Sequence, residues 1–248
     1  MRLSPFLLLS MLTAGSAAAA GLTPHKVEYT VEISVLSGRL TTVVTAVGDG
    51  YMANSVIEPV GISRLVAHGA IQESSFFVTD EHGVRPEQYR SVDTLSTEDQ
   101  NVSFDFDWRH DLVTGTVNDK PVRFELQGRV HDRVSIQYQL MLDLMNGRAS
   151  DRYLMLDGDE LKLLEVETIG RRRVKVPAGE FEAIGIQHHK QSSSRVTTLW
   201  CVEELGYLPV VIEQHKDGKL RVRARMTKYV PLASRAPSRP PGRTLEGD

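Results

Sequence analysis

The chain has 248 residues, a single cysteine and a formal net charge of −3 at pH 7. A chain of this length can bury a substantial hydrophobic core, and with Cys201 alone it contains no intramolecular disulfide. Acidic residues predominate up to about residue 160 and basic residues over 161–230. This asymmetry is compatible either with a basic face for an anionic partner or with scattered, solubilising charge.

The first twenty residues predict a cleaved export signal. Met1-Arg2 carries positive charge, "PFLLLSMLTAG" is a short apolar run, and "SAAAA" supplies the small residues of a cleavage site. We expect cleavage near Ala20-Gly21 and export to the periplasm. The apolar run is too short for a membrane-spanning helix and no later stretch is longer, so no transmembrane segment is expected after cleavage. The expected division is a signal peptide at 1–20, one β-rich domain at 21–230 and a disordered, Pro/Arg-rich tail at 231–248.

Strands are predicted from the start of the mature chain. In "KVEYTVEISVL" Val27, Tyr29 and Val31 alternate with polar residues, which indicates a strand with one buried face. We expect a turn at Ser37-Gly38-Arg39, and then strands in "LTTVVTAV", "YMANSVIEPV" and "IQESSFFV". Residues 61–70 read as a short helical or irregular connection.

The segment "NVSFDFDWRHDLVTGTVNDKPVRFEL" predicts a three-stranded meander. Phe104, Phe106 and Trp108 share one face of its first strand, and Asp105 and Asp107 share the other. The two polar segments within it have the residue types that favour turns.

One amphipathic helix is expected at about 132–146. Apolar residues recur there at three- and four-residue spacing, on a stripe wide enough to predict a helix that covers or plugs a sheet. Asp132 is expected to accept hydrogen bonds from the first-turn amides, and Gly147 suits the left-handed residue that ends a helix.

A hairpin around Asp157-Gly158-Asp159 and five further strands follow the helix, the first of them "RRRVKV". Pro177-Ala178-Gly179 is expected to turn one strand into the next, because Ala178 provides no nucleophile and the glycines of a phosphate loop are missing. Asp217-Gly218 predicts the last hairpin. About a dozen short strands with one helix predict a mainly β protein: a strongly curved antiparallel sheet or a partly open β-barrel.

Three groups of residues raise the question of chemistry. His188 and His189 point to opposite faces of a strand, so we expect no metal site, and no motif calls for a cofactor. Cys201 reads as a small buried residue. Asp105 and Asp107 lie about 7 Å apart on one face, near the separation of glycosidase carboxylates, but the aromatic residues face the other way. A hydrolase is therefore an alternative and not the leading hypothesis.

Two strands carry regularly spaced basic residues. The segment "GRRRVKV" places Arg171, Arg173 and Lys175 on one face, and "KLRVRARMTKY" does the same for Arg221, Arg223 and Arg225. These residues either protect exposed strands from aggregation or form a positive surface for an anionic envelope component. Nucleic acid is not an expected partner, because no aromatic residues are interleaved with them and the chain is expected to be exported.

Several segments in order resemble the exported bacterial family catalogued as domain of unknown function 3108. The matching positions are Pro177, Ala178, Gly179 and Phe181; Trp200, Gly206, Tyr207, Leu208 and Pro209; Asp107 and Trp108; and Asp132 and Ser135. The resemblance covers about residues 25–230. It implies a periplasmic, β-rich protein of Gram-negative bacteria and supplies no catalytic residue.

The leading functional hypothesis is a non-enzymatic periplasmic binding or carrier protein for an apolar, lipid-like ligand. Adaptable methionines and aromatic residues would line its site. The candidates are Tyr138, Met141, Met145, Phe104, Phe106 and Trp108. A scaffold or assembly factor of the envelope, acting through the basic strand faces, is the first alternative, and the hydrolase is the second.

Overall fold

The structure is a computed structural model and describes residues 21–191 and 193–233. The predicted signal peptide at 1–20 and most of the predicted tail, residues 234–248, lie outside these residues.

Strands make up most of the described chain. They are β1 His25–Ile33, β2 Leu36–Val47, β3 Gly50–Pro59, β4 Ile71–Asp80, β5 Gly83–Asp93, β6 Gln100–Asp107, β7 Leu112–Val117, β8 Lys120–Glu125, β9 Val130–His131, β10 Arg152–Asp157, β11 Glu160–Val176, β12 Gly179–Lys190, β13 Arg195–Val202, β14 Leu208–Lys216 and β15 Lys219–Pro231. The one α-helix of the described residues, α1, spans Ser135–Met145, and short 3-10 helices span Gly61–Leu65 and Glu203–Leu205.

All fifteen strands belong to one sheet, in the order β8-β7-β6-β5-β4-β3-β2-β1-β15-β14-β13-β12-β11-β10-β9. Every pair is antiparallel except β9 and β10, which run parallel over two residues. The first and last strands meet in the middle of the sheet, where Val27 pairs with Tyr229. β8 and β9 form the two edges and do not pair with each other, so the sheet is not closed. The predicted mainly β fold, a curved and partly open sheet with one helix, is confirmed.

The curvature is visible in a hydrogen bond across the concave side. Ala178, in the turn between β11 and β12, donates from its backbone N to the Met226 carbonyl of β15 at 3.1 Å. β13 and β14 lie between β12 and β15 in the sheet, so this contact requires the sheet to curl strongly. The Pro177-Ala178-Gly179 segment is a strand turn, as predicted, and Val176 pairs with Gly179 across it.

Two predicted boundaries were wrong. The first hairpin turns at Ser34-Val35, where Ser34 has a φ of 56°, and Ser37, Gly38 and Arg39 already belong to β2. Residues 160–176 form one 17-residue strand and not two, because the chain takes a bulge between Thr168 and Gly170 and then keeps pairing with β12.

The helix begins at Ser135 and not at Asp132, yet Asp132 acts as its predicted cap. Its Oδ1 accepts hydrogen bonds from the backbone N of Val134 and of Ser135, each at 2.8 Å. The Ser135 Oγ in return accepts from the Asp132 backbone N at 3.0 Å. These reciprocal bonds satisfy amides that the first turn leaves without intrahelical partners. At the other end Gly147 takes the left-handed conformation expected of it, with a φ of 63°.

The wide apolar stripe of α1 is explained by contacts on two sides. Tyr138, Met141 and Leu142 pack in the main hydrophobic core with residues of β4, β5 and β1. Leu140 belongs to a second, smaller cluster formed with Tyr153, Ile186, Leu199 and Cys201. The helix therefore lies between two walls of the curled sheet.

Candidate ligand-binding groove

An open concavity of about 580 Å³ lies between α1 and the strands β10 to β14. We call it the α1 groove. Its apolar lining comprises Ile136, Leu140, Tyr153, Met155, Leu164, Val166, Leu199 and Ile212. Its polar lining includes Gln137, His188, His189, Thr197 and Gln214, and its charged lining comprises Arg133, Asp157, Lys162, Lys190, Arg195 and Lys216.

The period-two geometry of the strands orders these side chains from an apolar floor to a charged mouth. Three rows of directly opposed residues cross β13 and β14: Leu199 with Ile212, Thr197 with Gln214, and Arg195 with Lys216. Residues two apart on one strand point to the same face about 7 Å apart. The groove therefore changes from aliphatic to cationic over about 13 Å. Exposure follows the same order, because Leu199 is buried, Thr197 is half-buried and Arg195 is exposed.

The helix provides one wall of the groove. Ile136 and Leu140 stand one turn apart on the same side of α1, which brings both towards the sheet. Leu164 and Tyr153 oppose each other on β11 and β10 and continue the apolar surface. The Tyr153 hydroxyl donates to the Asp143 Oδ2 at 2.9 Å, so its polar end is satisfied by the helix and its ring faces the cluster.

The two histidines border the middle of the groove. Burial, and then the charge of His189, lowers the pKa of His188 to about 4, so His188 is neutral at pH 7. His189 Nε2 lies 3.2 Å from the Glu165 Oε2 of the neighbouring strand. Within residues 21–191 and 193–233, no three His, Cys, Asp or Glu side chains come together as metal ligands would.

Most charged groups at the mouth have counter-ions. Lys162 binds Asp157, Lys190 binds Glu160, and Arg133 Nε lies 3.2 Å from the Glu73 Oε1. Arg195 and Lys216 differ, since neither has a carboxylate within 4.0 Å among the residues that the structure describes.

The six apolar residues predicted to bind a ligand lie elsewhere. Phe104 and Phe106 are buried, Phe106 and Trp108 stack at 5.9 Å, and Tyr138 stacks on Phe77 at 5.2 Å. These residues, together with Met141 and Met145, pack in or against the main core and do not line the α1 groove. Their predicted contact with a ligand stays a prediction.

The predicted basic surface residues are mostly paired. On β11, Arg171, Arg173 and Lys175 lie 3.5, 2.8 and 3.2 Å from the carboxylates of Glu203, Glu182 and Glu180, respectively. On β15, Arg223 and Arg225 lie 2.8 and 2.5 Å from those of Glu213 and Glu32. Arg221 is exposed. Three strands separate β11 from β15 in the sheet, so the two sets are not neighbours within it.

The two carboxylates considered for hydrolysis are exposed and engaged locally. Arg90 Nη2 donates to both oxygens of Asp105, at 3.0 and 3.2 Å. The Asp107 Oδ2 lies 2.7 Å from His110 Nδ1 in the turn after β6. A hydrolase using this pair stays a prediction. Cys201 is buried, and burial raises the pKa of its thiol to about 12.

Sequence reasoning missed the residues that line the α1 groove. A signal was present, because residues two apart change from aliphatic to polar to cationic along two successive strands. On β12 they are Ile186, His188 and Lys190, and on β13, read backwards, Leu199, Thr197 and Arg195. The same is true of β14, with Ile212, Gln214 and Lys216. Only the pairing of these strands shows that the gradients coincide.

Comparison with known proteins adds the family and the fold. A solved structure described as a β-barrel-like protein of domain of unknown function DUF1849 from Brucella abortus superposes with a TM-score of 0.58 at 10% sequence identity. The match covers 87% of this chain and all of the other, and it shows a shared fold. No curated protein is significantly similar. No helix in the described part of the chain is long and apolar enough to cross a bilayer. The family model of DUF3108, proteins of unknown function, matches residues 25–225, and the chain therefore belongs to this family.

Proposed function

We propose that the protein is a non-enzymatic binding or carrier protein for an apolar, lipid-like ligand held in the α1 groove. The observation that carries the proposal is the aliphatic floor between α1 and β11 to β14, which the protein's own side chains leave unfilled. The volume of about 580 Å³ lies within the usual range for small-molecule sites. Such sites combine an apolar lining with a few placed polar groups, as this groove does.

The size of the hydrophobic effect makes this binding energetically reasonable. Each methylene removed from water stabilises a complex by about 0.8 kcal/mol. Ten buried methylenes would contribute about 8 kcal/mol, against which stand the loss of translational freedom and the ordering of the chain. A single acyl chain would therefore bind weakly to moderately, which suits a carrier that must also release its ligand.

The proposed place of action is the periplasm. This part of the proposal depends on the predicted signal at residues 1–20, and a shift in mass after signal removal in a periplasmic extract would test it. The β-barrel-like fold shared with the DUF1849 structure is compatible with a ligand-binding role.

The envelope-scaffold alternative has less support from the geometry. Five of the six basic residues proposed for it already have a carboxylate within 4.0 Å, which offsets their charge. In the α1 groove, by contrast, apolar surface occurs together with Arg195 and Lys216, which have no carboxylate within 4.0 Å in the part of the chain that the structure describes.

Binding of a neutral, apolar fluorescent probe, N-phenyl-1-naphthylamine, tests the proposal. Thr197 is half-buried in the middle of the groove. Thr197→Trp should therefore fill the groove and lower the affinity for the probe by at least about tenfold. Thr114→Trp is the matched control, because Thr114 is an exposed residue of β7 that does not line the groove, and the substitution is the same. Absence of probe binding by the unmodified protein, or equal weakening by both variants, would refute the proposal.

A further inference from the structure

We propose that the ligand of the α1 groove is an amphiphile whose anionic head group, a carboxylate or a phosphate, binds between Arg195 and Lys216. This inference rests on the proposed function, because it identifies the polar end of the molecule whose apolar end the groove floor would hold.

The first observation is the register of the two cations. Arg195 on β13 and Lys216 on β14 are directly opposed partners in the sheet. Both line the mouth of the groove and therefore share a face. Like charges directly opposite each other on neighbouring strands destabilise a sheet. An anion placed between Arg195 and Lys216 would add two attractive interactions that offset this repulsion.

The second observation is the missing counter-ion. Asp217, which directly follows Lys216, forms no ion pair with either cation, and no other described residue places a carboxylate within 4.0 Å of them. The neighbouring cations Lys162 and Lys190 do bind acidic residues. The groove lining holds five Lys and Arg residues and only one acidic residue, Asp157. The positive excess is thus concentrated at the mouth.

The third observation is the presence of suitable neutral groups beside the cations. Ser193 and Ser194 line the same end of the groove. The Ser193 Oγ accepts a hydrogen bond from the Arg195 backbone N at 3.1 Å, which fixes this hydroxyl beside the backbone of Arg195 and leaves its own proton to donate. The Ser194 carbonyl accepts from the Asp217 backbone N at 3.2 Å, which ties this loop to the β14–β15 turn. Arginine donates in the paired geometry that carboxylates and phosphates accept.

The fourth observation is the distance between the aliphatic floor of the groove and its cationic mouth. The row of Leu199 and Ile212 lies four residues from the row of Arg195 and Lys216, about 13 Å along the strands. Thr197 and Gln214 form a neutral polar row between them. An extended molecule with an anionic end and an aliphatic tail matches this order, whereas a wholly apolar molecule would leave the two cations without a partner.

Displacement of the neutral probe by three ligands of equal chain length tests the inference. Hexadecanoate, hexadecyl phosphate and hexadecanol are compared on the full purified protein, below the concentrations at which they form micelles or separate from solution. The two anions should bind at least about tenfold more tightly than the alcohol, the factor expected for charge-assisted hydrogen bonds. The stronger of the two anions identifies the head-group chemistry.

The double variant Arg195→Gln/Lys216→Gln should bind the anions about as weakly as the alcohol and leave alcohol binding unchanged. Lys120→Gln/Arg123→Gln is the charge-matched control, since both residues are exposed on β8, the edge strand opposite β9 in the sheet order, and do not line the groove. It should leave all three affinities unchanged.

The other possible results separate failure of the head-group inference from failure of the proposed function. If the unmodified protein binds hexadecanol as tightly as both anions, the head-group inference fails while the proposed function stands. If neither the probe nor any amphiphile binds, the proposed function itself fails. If the double variant loses alcohol binding with an unchanged far-ultraviolet circular dichroism spectrum, Arg195 and Lys216 do not act on the head group alone and the inference is overturned.

Discussion

The Ser75 hydroxyl on β4 donates a 2.7 Å hydrogen bond to the Asp132 Oδ2 at the start of α1. Both side chains are fully buried. The other oxygen of Asp132 caps the first turn of the helix, so one carboxylate links the helix to the sheet and begins the helix at the same time. Because α1 forms a wall of the groove, the position of this wall depends on Asp132.

Removal of this carboxylate should destabilise the whole fold. Asp132→Ala leaves two helix amides and the Ser75 hydroxyl without their partner in a buried place, which should lower the free energy of unfolding by about 2–4 kcal/mol. Urea unfolding followed by circular dichroism measures it. Asp132→Asn keeps an acceptor for the amides and should therefore lower the free energy of unfolding much less than Asp132→Ala does. If Asp132→Ala lowers the free energy of unfolding by less than about 0.5 kcal/mol, the lower limit for one hydrogen bond, the role assigned to Asp132 is contradicted.

Two adjacent buried groups should give the stability opposite dependences on pH. Burial raises the pKa of Asp132 to about 6 and lowers the pKa of His131 to about 3. Between pH 4 and 6 the folded protein therefore holds more protons at Asp132 than the unfolded chain does, so this group's contribution falls as the pH rises. His131 holds fewer protons in the folded protein over the same interval, so its contribution is lost as the pH falls.

His131→Leu should remove the contribution of His131 to the pH dependence of the free energy of unfolding. The slope of unfolding free energy against pH, measured between pH 4.5 and 5.5, should decrease by about 1.4 kcal/mol per pH unit, the value for one proton. Asp132→Asn should change the slope by a similar amount in the opposite direction. Parallel curves for His131→Leu and the unmodified protein would show that His131 does not titrate as its burial requires.

Gly115 on β7 is required by a close approach between strands. A Cβ at this position would lie 1.8 Å from the carbonyl oxygen of Ser103 on β6, an atom held by the sheet. Gly115→Ala should therefore destabilise the protein by about 2 kcal/mol or more. The neighbouring Thr114→Ala, at an exposed position, is the control and should stay within about 0.5 kcal/mol. Thermal or urea unfolding distinguishes the two, and equal stabilities would contradict the observed packing of β6 on β7.

Much of the fold could be predicted because local patterns carry it. The alternation of Val27, Tyr29 and Val31 predicts a strand with one buried face, and the three residues are buried. Asp132 and Gly147 correctly marked the ends of a helix within three residues. The pairing of β1 with β15 could not be predicted in this way, because it joins residues about two hundred positions apart and depends on the curl of the whole sheet.

The candidate site was harder to predict for a related reason. Periodicity showed that α1 has a wide apolar surface but not which side the core would fill. In the structure the core takes Tyr138 and Met141, and Ile136 and Leu140 border the groove. The cationic mouth requires the register that sets Arg195 opposite Lys216, which no local pattern specifies.

Photo-crosslinking with a diazirine-bearing analogue of hexadecanoic acid, followed by peptide mass spectrometry, tests the central claim most directly. Binding in the α1 groove predicts that the tail labels residues of 136–140, 164–166 and 197–199, and that excess unlabelled hexadecanoate prevents the labelling. Labelling confined to 104–108, or to the basic strands at 171–175 and 221–225, would contradict the groove as the ligand site.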